Sequence, residues 1–138
     1  MPGVGASEAE WLTGVRKMAA ATGWKTWHFH DSRRQAGGRL VGDGAAAGYP
    51  DLTLTHPRHG VGFVELKSDT GKLTALQKES LTALAAGLAA VSLDGGVRSS
   101  GLFVHVWRPV DLLPVVLPTL RGEASIPRVY GWEPLDDW

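Results

Sequence analysis

The chain contains no cysteine, carries no formal net charge and has no long apolar run, and each absence excludes a class of protein. Without cysteine there is no disulfide, thiolate metal site or cysteine nucleophile, so a bound metal must take oxygen or imidazole ligands. Lys plus Arg equals Asp plus Glu at 14 each, so only a locally basic rim could favour nucleic acid. No apolar run approaches the roughly 20 residues of a membrane helix, which predicts a cytoplasmic protein without membrane contact.

What is present fits a single folded domain. The chain has 138 residues, and 43% of them are hydrophobic, which is enough for a core of its own. We expect one domain over residues 1–138, with a core from about residue 7 to 120. Residues 121–138 have no clear period and are predicted to form an irregular tail, which Trp132 and Trp138 could pin to the body.

Two capping boxes predict where two helices begin. Ser7 with Glu10 predicts a first helix from about Glu8 to Ala21, closed by Gly23. Thr74 with Gln77 repeats the pattern and predicts a second helix to about Ala86. The strand candidates are WKTWHFH (24–30), DLTLT (51–55), VGFVELK (61–67), AAVSL (89–93) and LFVHVW (102–107).

The order of these elements predicts an α/β fold with a mixed central sheet flanked by helices. Residues 51–55 and 61–67 are close enough in sequence to pair as a hairpin. Residues 31–48 are polar and rich in glycine, which predicts a mobile or functional loop. A short helix could begin at Asp111, and Pro118 should end it.

A cluster of charged residues lies on the predicted hairpin. Glu65 and Lys67 are two apart on one strand and therefore share a face. Pairing of the hairpin would bring Asp51 near Glu65, and a divalent cation would relieve the repulsion between the two carboxylates. Mg²⁺ prefers such hard oxygen ligands, and a lysine beside it can offset charge on a phosphate. E-x-K alone is most often a surface ion pair, so the motif depends on the residues around it.

The segments GYPDL, FVELKSDTGKLTALQ and VWRP resemble the VRR-Nuc (virus-type replication-repair nuclease) branch of the PD-(D/E)xK nuclease superfamily, in its small stand-alone phage form. The resemblance runs from about Ser7 to Leu113. It implies a restriction-endonuclease-like α-β-β-β-α-β core and Mg²⁺- or Mn²⁺-dependent endonuclease cleavage of DNA, with structured or branched DNA preferred. We expect the protein in a bacterial or phage-infected cell, and its pathway stays open between DNA recombination, repair, packaging and defence.

The resemblance also implies roles for individual residues. Asp51 and Glu65 would be metal ligands, the backbone carbonyl of Leu66 would complete the metal shell, and Lys67 would be the catalytic lysine. Gln77 matches a glutamine that supports the site from the second helix, although the capping box alone would explain it.

The family also places a glutamate on its first helix, where this chain offers Glu8 and Glu10. At 100° per residue, Glu8 lies in line with Trp11 and Val15 and faces the body of the protein. We therefore expect Glu8 to reach the metal, directly or through a water molecule. Favourable interaction with the helix dipole is the alternative role of Glu8, and the capping box explains Glu10.

Several residues are candidates for contact with the DNA backbone. Arginine side chains match phosphate oxygens, and a basic loop follows the first strand. His28 could line the cleft, and Lys72 and Lys78 near the second helix could add contacts without sequence preference. The predicted DNA-binding residues are Ser32, Arg33, Arg34, Arg39, His28 and Lys72. The alternative for the loop is an ordinary solvated surface.

Three other functions stay open. A Holliday-junction resolvase would need a homodimer so that paired sites cut symmetrically. A non-catalytic nucleic-acid-binding module would keep the fold without the activity. A hydrolase could use His28 and His30, which share a strand face, as Zn²⁺ ligands. Insertions at residues 37–48 and 92–103 depart from the family pattern and leave the substrate preference open.

Overall fold

The computed structural model describes residues 5–29, 34–36, 39–41, 48–93, 101–123 and 129–130. These residues form an α/β fold. Its helices and strands are α1 (Glu8–Ala21), β1 (Lys25–His28), β2 (Arg34–Ala36), β3 (Arg39–Val41), β4 (Leu52–His56), β5 (Gly60–Leu66), α2 (Ala75–Leu93), β6 (Leu102–Trp107), α3 (Leu117–Arg121) and β7 (Val129–Tyr130). A 3₁₀ turn (Pro109–Asp111) and a π-helical turn (Leu112–Val116) join β6 to α3.

The main sheet is mixed, as predicted, and its strand order is β1-β4-β5-β6-β7. β1, β4 and β5 pair antiparallel, whereas β6 runs parallel to β5 and β7 runs parallel to β6. β2 and β3 form a separate antiparallel pair. The parallel step from β5 to β6 requires a long connection, and α2 lies in that connection.

α1 covers one face of the sheet. Its capping box is formed as predicted: Glu10 N–H donates to the Ser7 hydroxyl, and the Glu10 carboxylate accepts from Ser7 N–H. The buried side of the helix packs on alternate residues of β4 and β5, including Leu52 and Val64. Trp11 is fully buried, and its indole N–H donates to the Trp107 carbonyl at 2.9 Å, which ties α1 to the end of β6.

α2 covers part of the opposite face. Leu81 and Ala85 are buried against Val104 and Val106 of β6, and half-buried Phe63 of β5 packs beside them. The helix therefore lies over the β5–β6 side of this face. Among the described helices, none is long and apolar enough to cross a membrane.

The structure corrects three predictions of secondary structure. Residues 89–93 are not a strand but continue α2 to Leu93. The run before them is rich in alanine, which has the highest helix propensity of the amino acids. Pro118 does not end a helix but lies in the first turn of α3, where its missing N–H costs nothing. The tail is not wholly irregular, because β7 joins the sheet edge. Trp132 and Trp138 lie outside the described residues.

Substitution of Gly62 on β5 tests how closely the Phe103 ring packs on this strand. A Cβ at this position would overlap the Phe103 ring, whereas a Cβ at the exposed Gly87 of α2 would meet nothing. We expect Gly62→Ala to lower the free energy of unfolding by about 1–3 kcal/mol through overpacking. The control Gly87→Ala should raise it by about 0.5–1 kcal/mol, because alanine favours the helix. Urea denaturation of both variants measures the difference, and equal midpoints would contradict the packing.

Candidate active site

Asp51, Glu65 and Lys67 lie at one end of the β4–β5 hairpin, as the sequence predicts. Leu52 is paired with Val64, so the register continued by one residue sets Asp51 opposite Glu65. The Asp51 carboxylate accepts a hydrogen bond from Leu66 N–H at 2.8 Å, which fixes its orientation across the hairpin. Lys67 N–H donates to the Trp107 carbonyl at 3.1 Å and so fixes the residue at which β5 ends.

The Glu65 carboxylate is buried and only partly satisfied. Its residue is 2% exposed. Oε1 accepts from the Gln77 side-chain amide at 2.9 Å. Oε2 is buried without a hydrogen-bond partner among the residues that the structure describes. A buried carboxylate oxygen without a donor is costly, so this atom marks a position where a cation or a proton is needed.

The pKa of Glu65 reflects this environment. Burial, and then the negative charge of Asp51, raise it from 4.5 to about 9, although Lys67 acts in the opposite direction. Without a cation the side chain therefore keeps a proton at neutral pH. A buried carboxylate that is protonated beside a second carboxylate forms a site that a divalent cation can occupy in place of that proton.

Lys67 lies between two acids. Its Nζ is 3.9 Å from Glu65 Oε1 and 3.8 Å from Glu8 Oε1, which are ion-pair distances too long for direct hydrogen bonds. Lys67 is 8% exposed, whereas the Glu8 side chain is 54% exposed. The prediction that Glu8 faces the site from α1 agrees with this position, and Glu10 serves the capping box instead.

A pocket of about 250 Å³ opens beside these residues. Its lining comes from α1, β1 and the β4–β5 hairpin, and the polar members are Glu8, His28 and Asp51. Leu66, whose carbonyl is a predicted metal ligand, also borders it.

Gln77 makes contacts of both kinds that the sequence left open, one set to the helix cap and one to Glu65. Its backbone N–H donates to the Thr74 hydroxyl and its side-chain oxygen accepts from Thr74 N–H, which completes the second capping box. The amide nitrogen of the same side chain donates to Glu65. The start of α2 and the orientation of the Glu65 carboxylate therefore depend on one side chain.

Two residues that the sequence did not single out hold the turn after Lys67. Asp69 accepts from Gly5 N–H and Val110 N–H, and an Arg108 guanidinium nitrogen donates to the Gly71 carbonyl at 2.8 Å. A Cβ at Gly71 would come within 3.4 Å of both the Lys67 stem and Glu8 Oε1. The turn thus closes over the lysine. Only the position of Arg108 in VWRP hinted at this contact.

The structure leaves most of the predicted DNA contacts untested. His28 lies at the pocket, and Lys72 is exposed on the turn that precedes α2. Arg34 and Arg39 belong to β2 and β3, but their side chains are not described, and Ser32, Arg33 and His30 lie outside the described residues. The Zn²⁺ hypothesis that pairs His28 with His30 is therefore not tested either.

The carboxylates of Asp51 and Glu65 fit a divalent cation and leave part of its coordination shell open. Within residues 5–29, 34–36, 39–41, 48–93, 101–123 and 129–130, no group of three His, Asp or Glu side chains forms a ready-made metal site. Asp51 and Glu65 supply two carboxylates, with an unsatisfied oxygen on Glu65. Mg²⁺ usually takes one or two carboxylates and completes its shell with water and substrate phosphate, so the two residues suffice.

The substitution Gln77→Glu should keep the contact of this side chain with the cap of α2 and remove its hydrogen bond to Glu65. Glutamate also completes a capping box, so α2 should keep its start, but a carboxylate would then face Glu65 in place of the amide. If the site cuts DNA with Mg²⁺, as the resemblance implies, we expect roughly tenfold slower cleavage, as for a weakened supporting contact at a metal site. Thr74→Ala is the control, and it should cost about 0.5–2 kcal/mol of unfolding free energy with the rate unchanged. Cleavage rates and urea melts measure both, and equal rates in the two variants would contradict the contact.

The comparisons with known proteins decide nothing here. Family models, curated proteins and solved structures give no match to this chain.

Proposed function

We propose that this protein is a metal-dependent DNA endonuclease with a PD-(D/E)xK active site in a restriction-endonuclease-like core, related to the VRR-Nuc branch. The observation that carries the proposal is the buried Glu65 carboxylate, which lies opposite Asp51, has an unsatisfied oxygen and is flanked by Lys67. The element order α1, β1, β4, β5, α2, β6 supports it, because it is the order that such a core requires.

Asp51 and Glu65 would hold Mg²⁺ or Mn²⁺, with the Leu66 carbonyl as a third ligand and Glu8 reaching the ion directly or through water. The bound ion would supply Lewis-acid charge and lower the pKa of a coordinated water. Asp51 is already oriented by Leu66 N–H, and Glu65 by Gln77. Side chains fixed in this way lose little entropy when the ion and the phosphate bind.

Lys67 would stabilise the negative charge that develops on the phosphate during attack. Its ammonium lies between Glu8 and Glu65, and the turn over its stem limits the positions it can take. Because Lys67 is nearly buried, water screens its charge less than that of a surface lysine. Hydrolysis would break one phosphorus–oxygen bond and leave a 5′-phosphate and a 3′-hydroxyl.

Incubation with supercoiled, linear, flapped and four-way DNA in Mg²⁺, Mn²⁺ or EDTA tests the proposal. We expect cutting only with metal, and loss of cutting in Asp51→Asn. Lys17→Ala, which removes an exposed lysine of α1, is the control and should cut normally. Cutting in EDTA, or full activity of Asp51→Asn, would overturn the mechanism. Paired nicks on four-way DNA by a dimer would indicate the resolvase, and binding without cutting would indicate the non-catalytic module.

A further inference from the structure

The outer part of one sheet face carries exposed aromatic side chains next to the candidate active site. Along β1 and the residue after it, Lys25, Trp27 and Phe29 are exposed, whereas Thr26 and His28 between them are half-buried. Trp27 is 43% exposed and Phe29 is 52% exposed. Single exposed apolar side chains are common on protein surfaces, whereas neighbouring ones on one face form a patch that often marks a contact site. We call Trp27, Phe29 and Tyr49 the aromatic surface.

The strand register explains why the aromatic surface is open. Residues paired across the sheet point to the same face, and one such row runs from Trp27 through Thr53 and Phe63 to Val104. Val104 is buried under α2, Phe63 is half-buried beside it, and Trp27 at the other end is exposed. α2 therefore covers β5 and β6 and leaves the β1 side of this face accessible.

The next row connects the aromatic surface to the carboxylates. Phe29 N–H donates to the Asp51 carbonyl at 3.0 Å, so Phe29 is the immediate cross-strand neighbour of Asp51. Glu65 and then Val106 follow in the same row. A nucleotide whose phosphate lies at Asp51 and Glu65 would have its neighbour within reach of the Phe29 ring.

The aromatic surface is held in place. Tyr49 packs edge-on against Phe29 with ring centroids 5.2 Å apart, and its hydroxyl is 3.2 Å from the Thr53 hydroxyl on β4. Rings fixed before binding lose little conformational freedom when a ligand stacks on them. Lys25 Nζ lies 5.5 Å from the centre of the Trp27 ring, which adds a cation that can pair with a phosphate.

We propose that the aromatic surface stacks the bases of an unpaired strand, so that the substrate of this nuclease is DNA with a single-stranded segment next to the cut. This inference rests on the proposed function. Bases of any kind stack on aromatic rings, and a flanking cation that tracks the backbone completes the usual design for binding single strands.

The spacing of the rings favours an unpaired strand over a duplex. Trp27 and Phe29 are two residues apart on an extended chain, which separates them by about 6.5–7 Å. Bases stacked within a duplex follow one another at roughly 3.4 Å, and their faces are covered by their neighbours. Only an extended, unstacked strand can therefore present one base to each ring.

Fluorescence anisotropy in EDTA tests the proposal without cleavage. The probes are a labelled oligothymidine, the same oligonucleotide in a blunt duplex, and a flapped duplex. We expect the wild type to prefer the first and third probes. Trp27→Ala and Phe29→Ala should each weaken binding to these two by about 5- to 150-fold, the range for losing one base stack. Binding to the blunt duplex should not change.

Two controls separate stacking from general damage. Trp27→Phe keeps an aromatic ring and should retain most of the affinity. Its tryptophan fluorescence should no longer show the quenching that a base stacked on Trp27 causes in the wild type. Leu113→Ala removes a side chain that is 73% exposed away from the aromatic surface, and its affinity should equal that of the wild type. Thermal melts of all the variants confirm that they are folded.

The outcomes distinguish the aromatic surface from the nuclease itself. Equal affinity of the wild type for single-stranded and blunt DNA, or unchanged binding by Trp27→Ala and Phe29→Ala, would overturn the stacking proposal even if cleavage is observed. Selective binding without cleavage would preserve it and refute the nuclease. A wild-type dimer that Trp27→Ala converts to a monomer would show that a second copy covers this face, which also overturns it.

Discussion

By the proposed mechanism, Lys67→Met should slow Mg²⁺-dependent cleavage by roughly 10²–10³-fold, the cost of removing one fixed group that stabilises transition-state charge. Methionine keeps an unbranched stem of similar length, so the turn that closes over residue 67 should stay in place. The substitution removes the only charge that lies between Glu8 and Glu65 among the described side chains. The fold should survive, because the backbone bond from residue 67 to Trp107 does not depend on the side chain.

Initial rates of cleavage with saturating metal, together with circular dichroism, measure this effect. Lys17→Met is the matched control, since it makes the same change at an exposed lysine of α1, and its rate should equal that of the wild type. Lys67→Arg is a further comparison, because arginine keeps the charge in a larger planar group. A wild-type rate in Lys67→Met would show that the ammonium takes no part in the chemistry.

Glu65→Gln should make the metal-free protein more stable while it abolishes the response to metal. The pKa of Glu65 is raised from 4.5 to about 9, so between these values the folded protein holds a proton that the unfolded chain has released. Where the folded state binds more protons, the free energy of unfolding falls as pH rises. The wild type therefore loses stability as pH rises from about 4.5 through about 9, and glutamine, which has no proton to lose, avoids this loss.

The size of the effect depends on pH. At about pH 8 the metal-free variant should exceed the wild type in unfolding free energy by up to about 5 kcal/mol, and at about pH 4 the two should be equal apart from the change of side chain. Added Mg²⁺ should narrow the difference, because it stabilises only a protein that binds it. Binding to the wild type should also release close to one proton at about pH 8.

Thermal melts from acid to alkaline pH, in EDTA and in Mg²⁺, test both parts. Glu10→Gln is the control, since glutamine also serves in a capping box and the residue is exposed. Its melting temperature should follow that of the wild type at every pH and should respond to Mg²⁺ in the same way. A Glu65→Gln protein that is less stable than the wild type in EDTA at alkaline pH would contradict the raised pKa.

Local signals predicted the parts of this fold that depend on neighbours in sequence. Ser7 with Glu10 located the start of α1, because a capping box involves only four consecutive residues. The proximity of Asp51 and Glu65 followed from a short hairpin, whose register constrains both strands. Choosing Glu8 over Glu10 required only the angle per residue of a helix.

Contacts between distant segments could not be predicted in this way. The bond from Arg108 to the Gly71 carbonyl joins residues 37 positions apart, and nothing in either segment alone specifies it. The composition of residues 89–93 predicted a strand. They are helical because extending an existing helix costs less than starting a new element, and α2 already precedes them. The aromatic residues of β1 indicated a strand but not an exposed surface, because the exposure of Trp27 depends on where α2 ends its coverage of the sheet.

Gln77 couples the formation of α2 to the orientation of the Glu65 carboxylate. Its side chain caps α2 through one atom and orients Glu65 through another. A chain in which α2 has not formed therefore has a misaligned Glu65, and by our proposal it cannot cut. Under the proposed function, formation of α2 and alignment of Glu65 would therefore occur together, so that only a chain with α2 in place could cut DNA.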